Sequence, residues 1–261
     1  MVPLGVEATA RVLAWEDSPH RMVALHHAAI HRRPGLWGDD PARPSTVVWL
    51  REGDDGQLEA FGAGVAGPAP GWLVARSGGR PIMLAAPMSW EGPVRARGGR
   101  LERCLVWTWL RPGPSGRPGP PIPTRRLGPD DADAFEAAAP PWALRSWGGF
   151  GALIARGAAF GVPTAGGFAA MAWTFESDYH RDKVGVATPA RFRRLGLGRA
   201  AASALVGHIL RDRRKQPIWS TNDSNAASMA LARSLGFTAL STETLLLWKR
   251  IQGSEAGKKP G

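Results

Sequence analysis

A chain of 261 residues, 44% of them hydrophobic, is long enough for one large domain or two small ones around a real core. Its single cysteine, Cys104, excludes an internal disulfide and any multi-cysteine metal centre, and fits a reducing cytoplasm. The formal charge of +11 invites a nucleic-acid reading, but the 33 basic residues are 28 Arg and 5 Lys in short scattered clusters, a pattern of codon bias and a solvated basic surface.

The opening stretch, MVPLGVEATARVLAWEDS, has no basic segment followed by an apolar one, so no signal peptide is expected there. No run of 18 apolar residues offers a membrane span. Ser18-Pro19 can start a helix across His20 to His31. His27 and His31 share a face of it, but no HExxH pattern joins them and no metal site is expected. Strands are expected at Thr46 to Leu50, Leu58 to Val65, Trp72 to Arg76, Pro81 to Ala85 and Leu101 to Trp109. These make residues 1–112 a mixed α/β region without a motif of its own. The run RPGPSGRPGPPIP ending at residue 123 can form neither helix nor central strand, so residues 113–123 read as a linker. Most of the twelve tryptophans are expected in the core, where the indole buries a large apolar body.

Residues 124–250 read as a second domain. Helices are expected from Pro129 to Ala138 and from Leu144 to Arg156, and a short strand at Ala158 to Val162. Strands at Gly167 to Phe175 and Lys183 to Thr188, joined by the polar turn Glu176 to Asp182, form a hairpin. After them comes Arg193-Arg194-Leu195-Gly196-Leu197-Gly198 and a helical run to Arg213. The glycines allow close backbone approach, and a helix start offers unpaired N–H groups, so this is a pyrophosphate site. A strand at Pro217 to Thr221, a helix at Asn225 to Leu235 and strand material at Ala239 to Lys249 follow; the tail 251–261 is expected to be disordered.

Gly196, Gly198 and Ala201 also satisfy G-x-G-x-x-A, but a Rossmann loop follows its strand directly and here Pro189 to Leu195 intervene. The G-x-x-x-x-G-K-[ST] phosphate loop is absent. Arg193, Gly196 and Gly198 instead fit [QR]-x-x-G-x-[GA]. Asn225, Ser228 and Leu235-Gly236-Phe237 supply a second block. In this order the two blocks resemble the GNAT superfamily of N-acetyltransferases, over about residues 125–250, with an additional N-terminal region.

The resemblance implies an α/β (α+β) fold: a mixed, mostly antiparallel sheet with a splayed parallel strand pair, plus the N-terminal α/β region. It implies acetyl-CoA as cosubstrate. The pantetheine arm would lie between the splayed strands against Val186, Ala187 and Thr188, and the pyrophosphate on Arg193, Arg194, Leu195, Gly196, Leu197, Gly198 and Arg199. Asn225 and Ser228 would add contacts, or cap their helix. For the base the candidates are Asp182, then Glu176, with Asp178 and His180 beside them. The family's usual tyrosine acid falls at Ala232; the one tyrosine, Tyr179, lies in the hairpin turn and is the candidate acid. The expected reaction is acetyl transfer to a primary amine of a small molecule in the cytoplasm, without metal, membrane or nucleic acid. Another acyl group, a protein amine or a non-catalytic CoA-binding module are the alternatives. The first region would shape the acceptor pocket or be a degenerate copy of the same fold. Oligomeric state stays open, a homodimer among the options.

Overall fold

The computed structural model describes residues 1–5, 8, 11–14, 19–53, 56–97, 100–110 and 122–249, with the backbone alone at residues 19, 100–109 and 242–249. Residues 113–121 of the expected linker and the tail 251–261 lie outside the described residues. The chain forms two compact units, each discontinuous in sequence. One comprises Met1–Asp17, Pro34–Cys104 and the chain from Thr244; the other comprises Ser18–Arg33 and Leu105–Glu243.

In the first unit, strand Val2–Pro3 pairs with Leu36–Gly38, which pairs with Thr46–Glu52 and then Leu58–Gly64, all antiparallel. Leu58–Gly64 runs parallel to Ile82–Ala85, and Ile82–Ala85 pairs antiparallel with Leu245 to Trp248. The residues expected as a strand at Trp72 to Arg76 are instead in a helix, Ala69–Ser77. The reason is periodicity: Ala69, Leu73 and Ser77 are buried at four-residue spacing, and Pro68 and Pro70 suit a helix start better than a strand.

The second unit opens with helix α1 (Pro19–Ile30). It continues with β1 (Arg100–Leu110, shared with the first unit), β2 (Arg125–Arg126), α2 (Ala132–Ala138) and α3 (Phe150–Arg156). Then come β3 (Ala159–Thr164), β4 (Gly167–Ser177) and β5 (Arg181–Ala187). Last are α4 (Leu197–Arg211), β6 (Gln216–Asn222), α5 (Ala226–Ser234) and β7 (Thr238–Lys249, shared with the first unit). Helix α3 starts later than Leu144 because Gly148 and Gly149 take φ of 79° and 152°, outside any helix.

Strands β2 to β5 pair antiparallel in chain order, β5 pairs parallel with β6, and β6 pairs antiparallel with β1. One face of this sheet carries α4, with Ala201, Leu205, Val206 and Ile209 packed on Ala170, Ala172, Val184 and Trp219. The other face carries Phe135, Trp147, Phe150 and Leu153 against Met171 and Trp173. The two sets alternate along β4, as a sheet buried on both faces requires. Of the tryptophans, Trp49, Trp90, Trp147 and Trp173 are fully buried.

Candidate active site

The parallel pairing of β5 with β6 is short. Arg181 faces Gln216, Asp182 faces Pro217 and Lys183 faces Ile218, and the ladder ends there although both strands continue. From Val184 to Ala187 the β5 backbone keeps its bonds to β4 on one side and parts from β6 on the other. Past Lys183 and Ile218 no ladder pair joins the facing edges among the described residues, and buried amides need partners. A flat, amide-bearing arm can enter such a gap and bond along β5.

Beyond the gap the chain makes a tight entry into α4. Arg194 and Gly196 take φ of 66° and 79°, the left-handed region. Gly196 is the N-cap and provides no side-chain cap, so the first-turn N–H groups face outward at the positive end of a 15-residue helix. A Cβ on Gly198 would lie 2.7 Å from the Thr188 Oγ1 atom, which ties this position to glycine. Arg193 Nε donates to the Thr188 carbonyl at 3.1 Å and folds the loop back onto the end of β5. Arg199 reaches the Ser234 carbonyl at 3.4 Å, at the end of α5, and Arg194 and Leu195 are exposed. The residues present therefore fit a diphosphate with a long amide arm.

Val186, Ala187 and Thr188 stand on the parted edge, and Arg193 to Arg199 form the loop and first turn. Asn225 Oδ1 accepts the Ser228 N–H at 3.0 Å, capping α5, and Ser228 Oγ accepts the Trp219 indole N–H at 2.9 Å.

The acidic candidates separate by environment. Asp182 is fully buried, bonded to Arg213, to Ser177 Oγ at 2.6 Å, and with Lys215 at 3.5 Å. It sits where β5 and β6 are still paired. Asp178 shapes the hairpin turn: burial pushes its carboxyl upward, but His26, Arg181 and two backbone N–H groups outweigh that and hold it at about 2. Tyr179 is exposed in the same turn, with His180 beside it. Glu176 is fully buried, 3.1 Å from Lys183 Nζ and 3.3 Å from Ser146 Oγ. Lys183 also meets His20 Nδ1 at 3.2 Å. Lys183 is the last β5 residue paired with β6, so the Glu176–Lys183–His20 cluster lies at the apex of the split.

Sequence reasoning missed the α1 side of this cluster. His27 Nε2–H donates to the Ser146 carbonyl at 3.0 Å while its Nδ1 accepts the Ser177 N–H at 3.0 Å, which fixes a neutral ring. His26 lies 3.5 Å from Asp178. His31 packs on His27 and Trp147; burial first, then the nearby positive charges of Arg156, Lys215 and Arg213, push it down to about 3. Among the described residues no group of three metal-ligating side chains converges.

A parallel strand pair that parts after three residues, with a glycine-capped helix between its strands, defines the class of this α/β domain. Residues 139–245 match the family model for the GNAT acetyltransferase. A GCN5-related N-acetyltransferase-like protein from Streptococcus suis superposes with a TM-score of 0.67 at 16% identity, covering 93% of this chain and 98% of its own. A putative GNAT-family acetyltransferase from Novosphingobium aromaticivorans is 25% identical with a TM-score of 0.54, over 74% and 84% of the two chains. A tandem GNAT protein of the clavulanic acid biosynthesis pathway aligns over 95% of this chain and 94% of its own, at 13% identity and a TM-score of 0.58. No curated protein matches the chain.

Proposed function

We propose that this protein is an acetyl-CoA-dependent N-acetyltransferase that acetylates a primary amine of a small molecule by direct attack. The observation that carries this reading is the ending of the β5–β6 ladder at Lys183 and Ile218, directly in front of the Gly196–Gly198 turn. When bound, acetyl-CoA supplies an acetyl thioester for the amine to attack. In this reading β5 from Val184 to Ala187 orients the arm through its backbone. The N–H groups of the first turn of α4 hold the pyrophosphate, with Arg194 free to swing onto it.

Glu176 is the preferred base. It lies at the apex of the split, whereas both Asp182 oxygens are engaged by Arg213, Ser177 and Lys215 where the strands remain paired. Lys183 holds the Glu176 carboxylate in place, and His20 and Ser146 hold the pair. A positioned carboxylate that removes the ammonium proton contributes on the order of a hundredfold or more.

Acetyl-CoA is titrated calorimetrically into the full-length protein, and thiol release is followed against a panel of small amines. Saturable binding with amine-dependent thiol release supports the reading. Absence of acetyl-CoA binding overturns it, and binding without turnover for any amine leaves a CoA-binding module instead. The latter is favoured by one observation: the family's usual tyrosine position is the buried Ala232, and Tyr179 is exposed.

A further inference from the structure

Among the described residues four tryptophans are fully buried, and three have a partner for the indole N–H. Trp49 donates to the Pro34 carbonyl at 3.1 Å, Trp90 to the Gly64 carbonyl at 2.9 Å, and Trp147 to the Thr174 carbonyl at 2.6 Å. Trp173 Nε1–H, equally buried, has none. A buried donor without an acceptor costs roughly 1–3 kcal/mol, and phenylalanine would fill most of the same volume without that cost. The unspent N–H therefore points to an acceptor that arrives from outside.

The surroundings of Trp173 say which acceptor. Its cross-strand partner is Gly185, the third β5 residue from the apex counting Lys183 as the first. A Cβ on Gly185 would lie 2.7 Å from Trp173 Cε2 and 2.9 Å from Nε1. The N–H edge of the indole thus occupies the place of a Gly185 side chain and lies over the parted strand. Extending the Lys183–Ile218 register by two residues sets Ser220 opposite Gly185 across the gap. Ser220 Oγ is also buried and, among the described residues, also without a partner. Val184 and Trp219 pack on the α4 face, so their strand neighbours Gly185 and Ser220 present the other face, the one that carries Trp173.

Two unspent donors thus flank the split on one face, one residue beyond the point where the strands part. We propose that the Trp173 indole N–H and the Ser220 hydroxyl are hydrogen-bond donors to the carbonyl oxygen of an acyl thioester seated in the split. This rests on the acetyl-CoA reading above and deepens it. As the amine lone pair forms the C–N bond, the carbonyl π pair moves onto oxygen, where both donors act. When the carbonyl reforms, the C–S bond breaks with its pair on sulfur, which ends as a thiol while the amine has lost one proton. Preorganised donors aimed at such an oxygen contribute more than the same bonds in water, because nothing has to reorganise during the reaction.

The test uses the full-length protein and acetyl-CoA labelled with ¹³C at the thioester carbonyl. Isotope-edited infrared spectra of the bound molecule are compared for the wild type, Trp173→Phe and Ser220→Ala. The expected result is a bound carbonyl band below that of the free thioester in water. Each substitution should return part of that shift, with calorimetric affinity within about threefold of wild type. Turnover, where an amine acceptor is found, should fall about 10- to 100-fold. Ser220→Ala removes one oxygen atom, so it tests the proposal even if the tryptophan variant fails to fold. A band unshifted in the wild type, or a shift that both substitutions leave intact, overturns the proposal while the acetyl-CoA reading stands. Failure of the wild type to bind acetyl-CoA overturns both.

Discussion

Each unit contains a parallel strand pair joined by a helix, and the two pairs end differently. In the first unit, Leu58 to Phe61 pair with Ile82 to Ala85 along the whole of the shorter strand. The connection is brief, and its helix starts among Pro68 and Pro70, which lack N–H groups to offer a ligand. Trp90 seals the position: a Cβ on Gly62 would lie 2.7 Å from its ring, and its indole donates to the Gly64 carbonyl. In the second unit the ladder stops after three pairs, residues 188–196 intervene, and the helix starts on a left-handed glycine. A strand–helix–strand crossover is therefore not a binding site in itself. What sets the crossover of the second unit apart is a strand pair that parts and a bare entry to the helix; a tryptophan lies against a strand glycine in both units, and of the two only Trp173 leaves its indole N–H unspent among the described residues.

That contrast can be broken from either side. The largest effect is expected for Gly198→Val, whose side chain would collide with Thr188 and close the cradle. Acetyl-CoA affinity should fall more than tenfold by calorimetry with circular dichroism unchanged, and retained affinity would detach the glycine turn from cofactor binding. In the first unit, Trp90→Ala removes the plug and should cost about 3–5 kcal/mol of stability. Hydrogen exchange should rise along Thr46–Glu52 and Leu58–Gly64, and acetyl-CoA binding should persist. Asp182→Asn leaves Arg213 without its buried partner and should cost about 3 kcal/mol, read from denaturant midpoints. Loss of turnover without loss of stability would restore Asp182 as the base.

A further effect is in pH. The native fold holds His31 near 3, whereas the unfolded chain takes up its proton near the ordinary value of 6.5. Its contribution to stability is complete above about 6.5 and is lost as the pH falls toward 3. Thermal melts between these limits should flatten in His31→Leu, and an unchanged slope would assign the acid sensitivity elsewhere.

What was legible in the sequence was local. Gly196 and Gly198 announced a close backbone approach because they carry no Cβ, and the hairpin and flanking helices followed from periodicity. The segment around Trp72 misled because three large apolar residues in a row look like a strand, while the informative spacing ran through the small residues Ala69 and Ser77. The partnership of α1 with the hairpin was invisible for a different reason. His27 meets Ser146 across 119 residues, and Lys183 meets His20 across 163. No local pattern encodes such pairings. Likewise Asp182 and Glu176 look alike in sequence, and only their burial partners tell them apart.

The interleaving of the units bears on how the chain reaches its native state. Helix α1 is made early, yet its partners on β4 and β5 lie beyond the whole of Pro34–Cys104. The strand Ile82–Ala85 waits for Leu245 to Trp248. Domain-by-domain folding during synthesis is closed to this protein, because neither unit is complete until its last strand has left the ribosome. Long-range pairing of this kind slows folding and leaves strand edges exposed meanwhile. A fragment cut at the proline-rich stretch would lack α1, and with it the ring that bridges Ser146 to Ser177.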